Sequence, residues 1–213
     1  MCSSDLYVCD HAAVSYAVSF SALREMRKRR APNKPMPQTL VAFGNPTLNS
    51  EVIERLQRTY TGLKLADTNS TEIDKLQTLY GPRRTRSYTT TQATKDRVRT
   101  EANAATILHL ATPAILDQSV PMYSPFLMSD GLLKLSEITS FNSKARAVVL
   151  PHVSTTQLQS GNALMALSWS WFIAGTPVVI LNRAEENEPY MFLGYLTADQ
   201  TDLLRIRRLL SGL

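Results

Sequence analysis

The chain has 213 residues, 44% of them hydrophobic and 19% charged, with a formal net charge of +5. That length fits one domain, or a large domain with an appendage, and the hydrophobic content suffices for a packed core. No apolar run reaches the roughly 18 residues that a membrane-spanning helix needs, so no span and no membrane partner is expected.

The opening stretch "MCSSDLYVCDHAAVSYAV" has no basic region ahead of an apolar run and does not read as a secretory signal. Cys2 and Cys9 make no disulfide framework, and with His11 they read as residues of a chain terminus. A cytoplasmic setting is therefore the expectation. "VSYAVSF" (Val14 to Phe20) is a candidate strand, and "SALREMRKRRA" a short helix with Ser21 as N-cap. "PNKPMP" is a connector that no helix crosses.

Thr39 to Gly44 reads as a strand ended by a turn at Asn45–Pro46. Ser50 to Tyr60 reads as a helix, with Val52, Ile53, Leu56 and Tyr60 at helical spacing. Ser70 to Tyr80 is a second helix, stopped by Gly81. Arg84 to Thr90 is a polar edge segment, and Thr91 to Ala102 a charged, solvated helix. Ala105 to Thr112 and Arg146 to Pro151 are strands with apolar residues on both faces. Gly161 to Ala174 is a helix that is apolar nearly all round, so it is expected to be buried. Thr176 to Leu181 is a third central strand, and Ala198 to Leu210 closes the chain as a helix.

Strands apolar on both faces and separated by helices predict a parallel sheet covered on both sides. The three central strands should be neighbours. Ligands and catalytic groups collect at the carboxyl ends of such strands. The ends of interest are therefore those of Ala105–Thr112 and Arg146–Pro151.

At these ends, and across most of its length, the sequence resembles the CHAT domain, a caspase-like peptidase family. "SYAVSFSAL" resembles its opening strand and helix, and "LVAFGNPTL" its next strand and turn. "EIDKLQTLYG" resembles its "EA…L..L" helix, "ILHLATPAIL" its "HLATHG" strand and "SDGLLKLSEI" its "DG.LTA.EI" segment. "ARAVVLPHVSTT" resembles "A.LVVLSACETG", and "GNALMALSWSWFIAGTPVVIL" resembles "GEGL.GL..AFL.AGA..VV". The ordered series is far more specific than any one motif. The resemblance implies an α/β, caspase-like three-layer sandwich with a mainly parallel central sheet. It also implies a Cys–His dyad, with the His of "ATHG" as base and the Cys of "SACETG" as nucleophile. Such a pair is needed because a thiol at its free pKa is mostly protonated.

Carried over by position, the dyad His falls on Pro113 and the dyad Cys on Val153, while the Gly after the His falls on Ala114. Neither Pro nor Val moves a proton or attacks a carbonyl. The "GEG" segment is "GNA" here, Gly161 to Ala163, which removes an acidic side chain.

The remaining candidates are few. His109 matches the first His of "HLATHG" and reads as a structural core residue. His152 and Ser154 follow in the loop expected after Pro151 and offer an alternative hydrolase pair, though no orienting carboxylate accompanies them. Trp169 and Trp171 are expected in the core on two sides of their helix. Three His and two Cys without ligand spacing predict no metal, and the absence of a Gly-rich phosphate loop predicts no cofactor. The basic clusters at Arg24–Arg30, Arg83–Arg86 and Arg205–Arg208 lack interleaved aromatics, so nucleic acid is not the expected partner. The expectation is one CHAT-like domain over 1–213, without activity, whose partner is another protein or a helical-repeat region of the kind this family accompanies. The alternative is an enzyme that uses His152 and Ser154.

Overall fold

A computed structural model describes residues 21, 24, 39–60, 70–155, 162–183 and 191–194, with the backbone alone at 70, 71, 151–155, 181–183 and 191–194. The strand expected at 14–20, most of the helix after it, the Pro-rich connector and the helix expected at 198–210 lie outside those residues. Cys2, Cys9 and His11 do too.

The first described strand, β1 (Leu40–Pro46), shows why the chain forms a covered sheet. Its side chains alternate between two apolar layers. Val41 and Phe43 enter the larger core, and Leu40 and Ala42 enter a smaller one on the opposite face. The strand runs two residues beyond the expected Gly44. Asn45 adopts φ 44° and the pairing shifts between Gly44 and Pro46, so the "NP" pair bends the strand rather than ending it. Helix α1 (Ser50–Thr59) follows, capped by the Asn49 side chain, which accepts from Glu51 N at 2.9 Å. Helix α2 (Ser70–Tyr80) ends where Gly81 takes φ 82°.

Strand β2 (Thr85–Thr90) pairs parallel with β1 at one end of the sheet. Helix α3 (Lys95–Ala102) starts four residues later than the hydrophobic pattern suggested. Thr90 takes φ 51° and a turn occupies Thr91–Gln92, so the helix begins only at the N-cap Thr94. Then come β3 (Ile107–Ala111), the short β4 (Ala114–Leu116), a 3₁₀ turn at Pro121–Tyr123, and the hairpin β5 (Pro125–Met128) and β6 (Gly131–Lys134). A four-residue helix α4 (Leu135–Ile138) leads to β7 (Ala147–Thr155), helix α5 (Asn162–Ala174), β8 (Val178–Arg183) and β9 (Met191–Gly194).

The main sheet has the order β2-β1-β3-β7-β8-β9, parallel throughout except for the antiparallel β9. The three central strands expected to be neighbours are consecutive. Strand β4 pairs with the second half of β7 and carries the β5–β6 hairpin beside it. Helices α3, α4 and α5 pack on one face, through Val98, Ala102, Leu135, Ile138, Leu167 and Trp171. On the other face α2 packs with Ile73 and Leu76, and α1 with Leu56. Helix, sheet and helix give three layers, as the caspase-like reading expected.

Two expectations about α5 need correction. The helix is not buried all round, because Met165, Trp169 and Ile173 form an exposed line at intervals of four. Trp171 is fully buried, whereas Trp169 is 36% exposed and is not a core residue. One face of an apolar helix covers the sheet, and the opposite face has nothing described to lie against. Composition alone could not separate the two.

Helix α5 ends in a Schellman arrangement. Gly175 N donates to Phe172 O at 3.0 Å and Thr176 N to Trp171 O at 2.9 Å. Gly175 holds φ 114°, and a Cβ there would stand 2.6 Å from the Ser143 carbonyl oxygen. Gly175→Ala should therefore destabilise the protein by at least about 1–3 kcal/mol from backbone strain alone. Urea denaturation followed by tryptophan fluorescence checks this, and an unchanged midpoint would contradict the role assigned to Gly175.

Candidate functional site

The two strand ends singled out in the sequence stand side by side. Strand β3 pairs with β7 at Ile107↔Ala147 through His109↔Val149, and β4 takes up the same edge at Ala114↔Val153 through Leu116↔Thr155. Between those pairs the chain spends four residues (110–113) opposite three on β7 (150–152). On its other edge β7 spends two residues (151 and 152) between Leu150↔Leu181 and Val153↔Arg183, where β8 spends one. Each irregularity contains a proline, Pro113 in one and Pro151 in the other. Proline has no N–H to give to a ladder, so it is tolerated inside a sheet at a bulge.

Pro113 is buried, and its carbonyl accepts from Leu127 N of β5 at 2.8 Å. Ala114, which stands where the family motif has Gly, is buried in the main core and pairs with Val153. Pro113 therefore directly precedes the residue of β4 that pairs with Val153 of β7. Thr112 is also buried, and its hydroxyl has no hydrogen-bond partner.

The region after Pro151, expected to be a loop, is strand through Thr155. His152 and Ser154 both fall on this strand, with Ser154 opposite Ile115.

Beyond β4 the chain is pinned by Asp117. Its Oδ1 accepts from Ser119 N at 2.8 Å and Val120 N at 3.1 Å, and its Oδ2 accepts from Tyr60 Oη at 3.2 Å. Its own N–H donates to Ser124 Oγ at 2.9 Å. Next to it, Gln118 Oε1 accepts from Ala163 N at 3.2 Å, which satisfies one free donor of the α5 N-terminus. Asp117 and Gln118 thus tie the end of β4 to α1 and α5. Sequence reading missed both residues, because it assigned no element between Thr112 and Arg146. The signal was there for the hairpin: "PFLM" and "GLLK" flank Ser129–Asp130, with Gly131 at φ 130°.

His109 is a core residue, as expected, being 1% exposed on β3. Its Nε2 lies 2.9 Å from Glu72 Oε1 of α2, yet off the line of a hydrogen bond. The contact is part of the packing of α2 on β3. Its strand position lies four residues before Pro113, within the buried part of the sheet. A shallow cavity of about 170 Å³ lies between the start of α1 and the β5–β6 turn, lined by Leu48, Val52, Met128 and Gly131 among others. Pro113 does not line it. No group of three or more His, Cys, Asp or Glu that could hold a metal occurs among the described residues. No described helix is long and apolar enough to cross a membrane.

The arrangement of sheet, covering helices and paired strand ends is that of a caspase-like peptidase domain. The CHAT domain family model matches residues 1–185, and the chain belongs to that family. A search of curated proteins found no match.

Burial, and after it the neighbouring Asp117 carboxylate, raise the Tyr60 phenol above its ordinary pKa. Tyr80 and Tyr88 are raised as well, the first by burial and the second chiefly by its hydrogen bond to Glu101. Neutral phenol is therefore the form that the fold favours. The stability it contributes is complete below the unfolded-state value near pH 10 and is lost as pH rises through the higher folded value. Urea midpoints should stay level up to about pH 9 and fall above it. Tyr60→Phe should fall less steeply than wild type, and an equal slope would remove Tyr60 from this linkage.

Proposed function

We propose that the chain is a catalytically inactive CHAT domain, a pseudo-peptidase that acts by binding another protein or a helical-repeat region. The observation that carries this reading is the pair Pro113 and Val153, at the positions of the family's base and nucleophile. Without an imidazole and a thiol, the two-step acyl transfer of a cysteine peptidase has neither attacking group nor proton carrier. The strand pairing of β4 with β7 supports the same reading. Backbone groups engaged in that ladder are not free to receive an extended substrate or a developing oxyanion. A reducing compartment such as the cytoplasm suits a chain whose two cysteines build no disulfide framework.

Purified protein should hydrolyse no member of a peptide library and take up no thiol-directed peptidase inhibitor at residues of this site. Specific cleavage that disappears on His152→Ala or Ser154→Ala would replace the reading with that of a hydrolase.

The positional carry-over has its own check. Val153→Cys puts a thiol on β7 opposite Ala114 of β4, and Pro113→His adds an imidazole at the residue just before β4. An imidazole that lowers the thiol pKa by half a unit gives about threefold more thiolate near pH 7. Iodoacetamide labelling should therefore be faster in the double variant than in Val153→Cys alone, and peptide turnover should stay absent. Identical labelling profiles across pH would mean that the two positions do not form one site.

A further inference from the structure

The basic residues of this protein are not scattered evenly over the described surface. Four backbone positions stand in a row just before the parallel strands. Leu40 N donates to Arg84 O at 2.8 Å, Thr106 N to Thr39 O at 3.0 Å and Arg146 N to Thr106 O at 2.8 Å. Arg84, Thr39, Thr106 and Arg146 thus mark the amino-terminal edge of the sheet, the edge opposite the paired strand ends. Arg83, Arg84, Arg86, Lys144 and Arg146 are all exposed there. Lys144 N donates to Ala102 O at 2.9 Å, which brings the end of α3 into the same edge. On α3 the exposed Arg99 lies over the Phe141 ring, 5.3 Å from its centroid.

The carboxylate placed among these six cations is Glu101, and it is already engaged by Arg86 and by Tyr88 Oη. No carboxylate of the described residues is in ion-pairing reach of Arg83, Arg84, Arg99 or Lys144. The bland account is that these cations offset helix ends. Helices α2, α3 and α5 do finish at this edge, where Thr85 Oγ1 donates to Gly81 O and where Lys144 N and Ser143 N donate to Ala102 O and Ala174 O. Each such end is worth about half a negative charge. Arg146 is engaged within the protein, so three ends and one carboxylate together supply roughly −2.5 against the other five cations. Among the described residues that leaves a surplus of about two to three charges.

We propose that this amino-terminal edge is a docking surface for an acidic polypeptide segment. The inference rests on the reading of the domain as a binding module, and it places the partner away from the vacated cleft. The charge complement is what identifies the partner class. A single-stranded nucleic acid would want open rings to stack on. The rings near this edge are occupied instead: Phe141 is buried beneath Arg99 and against Trp171, Tyr80 at the end of α2 packs on the cluster of Leu40, Ile73 and Leu76, and Tyr88 packs on Phe43 under Arg97.

The test uses the full chain, a fluorescein-labelled 20-residue peptide of alternating Glu and Gly, a Gln-for-Glu version of it, and a 20-nucleotide single-stranded RNA. Anisotropy titrations at about 50 mM salt should show the acidic peptide binding and the Gln version not binding. Affinity should fall at least tenfold on raising salt to about 300 mM. Arg84→Glu with Lys144→Glu should weaken the peptide at least tenfold, while circular dichroism stays that of the wild type. Reversal of Arg205, Arg207 and Arg208 to Glu should leave it within about twofold. Binding that survives the edge variant but is lost on reversal at 205–208 would overturn the proposal, as would RNA binding tighter than the acidic peptide. An acidic peptide that does not bind at all would also overturn it. Loss of the edge with continued binding of some other protein at the β4–β7 face would leave the pseudo-peptidase reading standing.

Discussion

Two prolines facing the same strand junction govern the shape of this molecule's functional face. A parallel ladder asks each residue for a donor at fixed intervals, and Pro113 and Pro151 have none to give. Each sits where one strand carries a residue more than its neighbour. The ladder does not stop there. It resumes at Ala114↔Val153 and continues for three pairs, because β4 and the outer half of β7 are apolar or β-branched enough to stay extended. The place where the family resemblance puts a dyad is thereby a seam in a continuous sheet.

Much else follows from that seam. Once β4 is part of the sheet, the β5–β6 hairpin has a strand to pair with, and Pro113 O becomes an acceptor for Leu127 N. Asp117 at the end of β4 then gathers two loop amides and the Tyr60 hydroxyl. Gln118 reaches the first turn of α5. The start of α5 is thus held by a side chain from just beyond β4. In an active peptidase this region has to admit a substrate chain. Here the hydrogen bonds that would compete for that chain are internal.

The sequence made the layered fold legible because β1, β3, β7 and β8 are apolar on both faces, and a strand of that kind has only one stable surrounding. The order of the motifs is also what puts the family's dyad positions at Pro113 and Val153 in the resemblance. Other features were hidden for definite reasons. Strand β4 is three residues long behind a proline, too short for any periodicity. The extension of β7 reads as a loop, since Pro151, Ser154 and Thr155 are loop-rich types and only pairing with β4 makes them strand. The start of α3 was misplaced because Thr90 adopts a left-handed conformation that β-branched residues rarely take, and nothing in "TTTQAT" signals it. The exposed line on α5 could not be seen because a helix apolar all round has no preferred face in sequence. Asp117 and Gln118 act on residues 45 or more positions away, or on loop amides that are brought into place once β4 has formed. Pattern reading within a short window cannot reach such contacts.

The pairing of β4 with β7 and the residue types at 113 and 153 are physically consistent with one another. A catalytic strand end has to keep backbone donors unpaired, so that they can meet a carbonyl or an oxyanion in the substrate. Unpaired donors in a buried setting are costly, and a sheet lowers that cost by pairing them. A His or Cys at these positions has a reason to tolerate the cost, because substrate binding removes it during each turnover. Pro113 and Val153 have no such return. With them in place the lower free energy lies with continued strand pairing, and proline reduces the number of donors that need satisfying. The sheet is then stabilised at the edge where chemistry would occur.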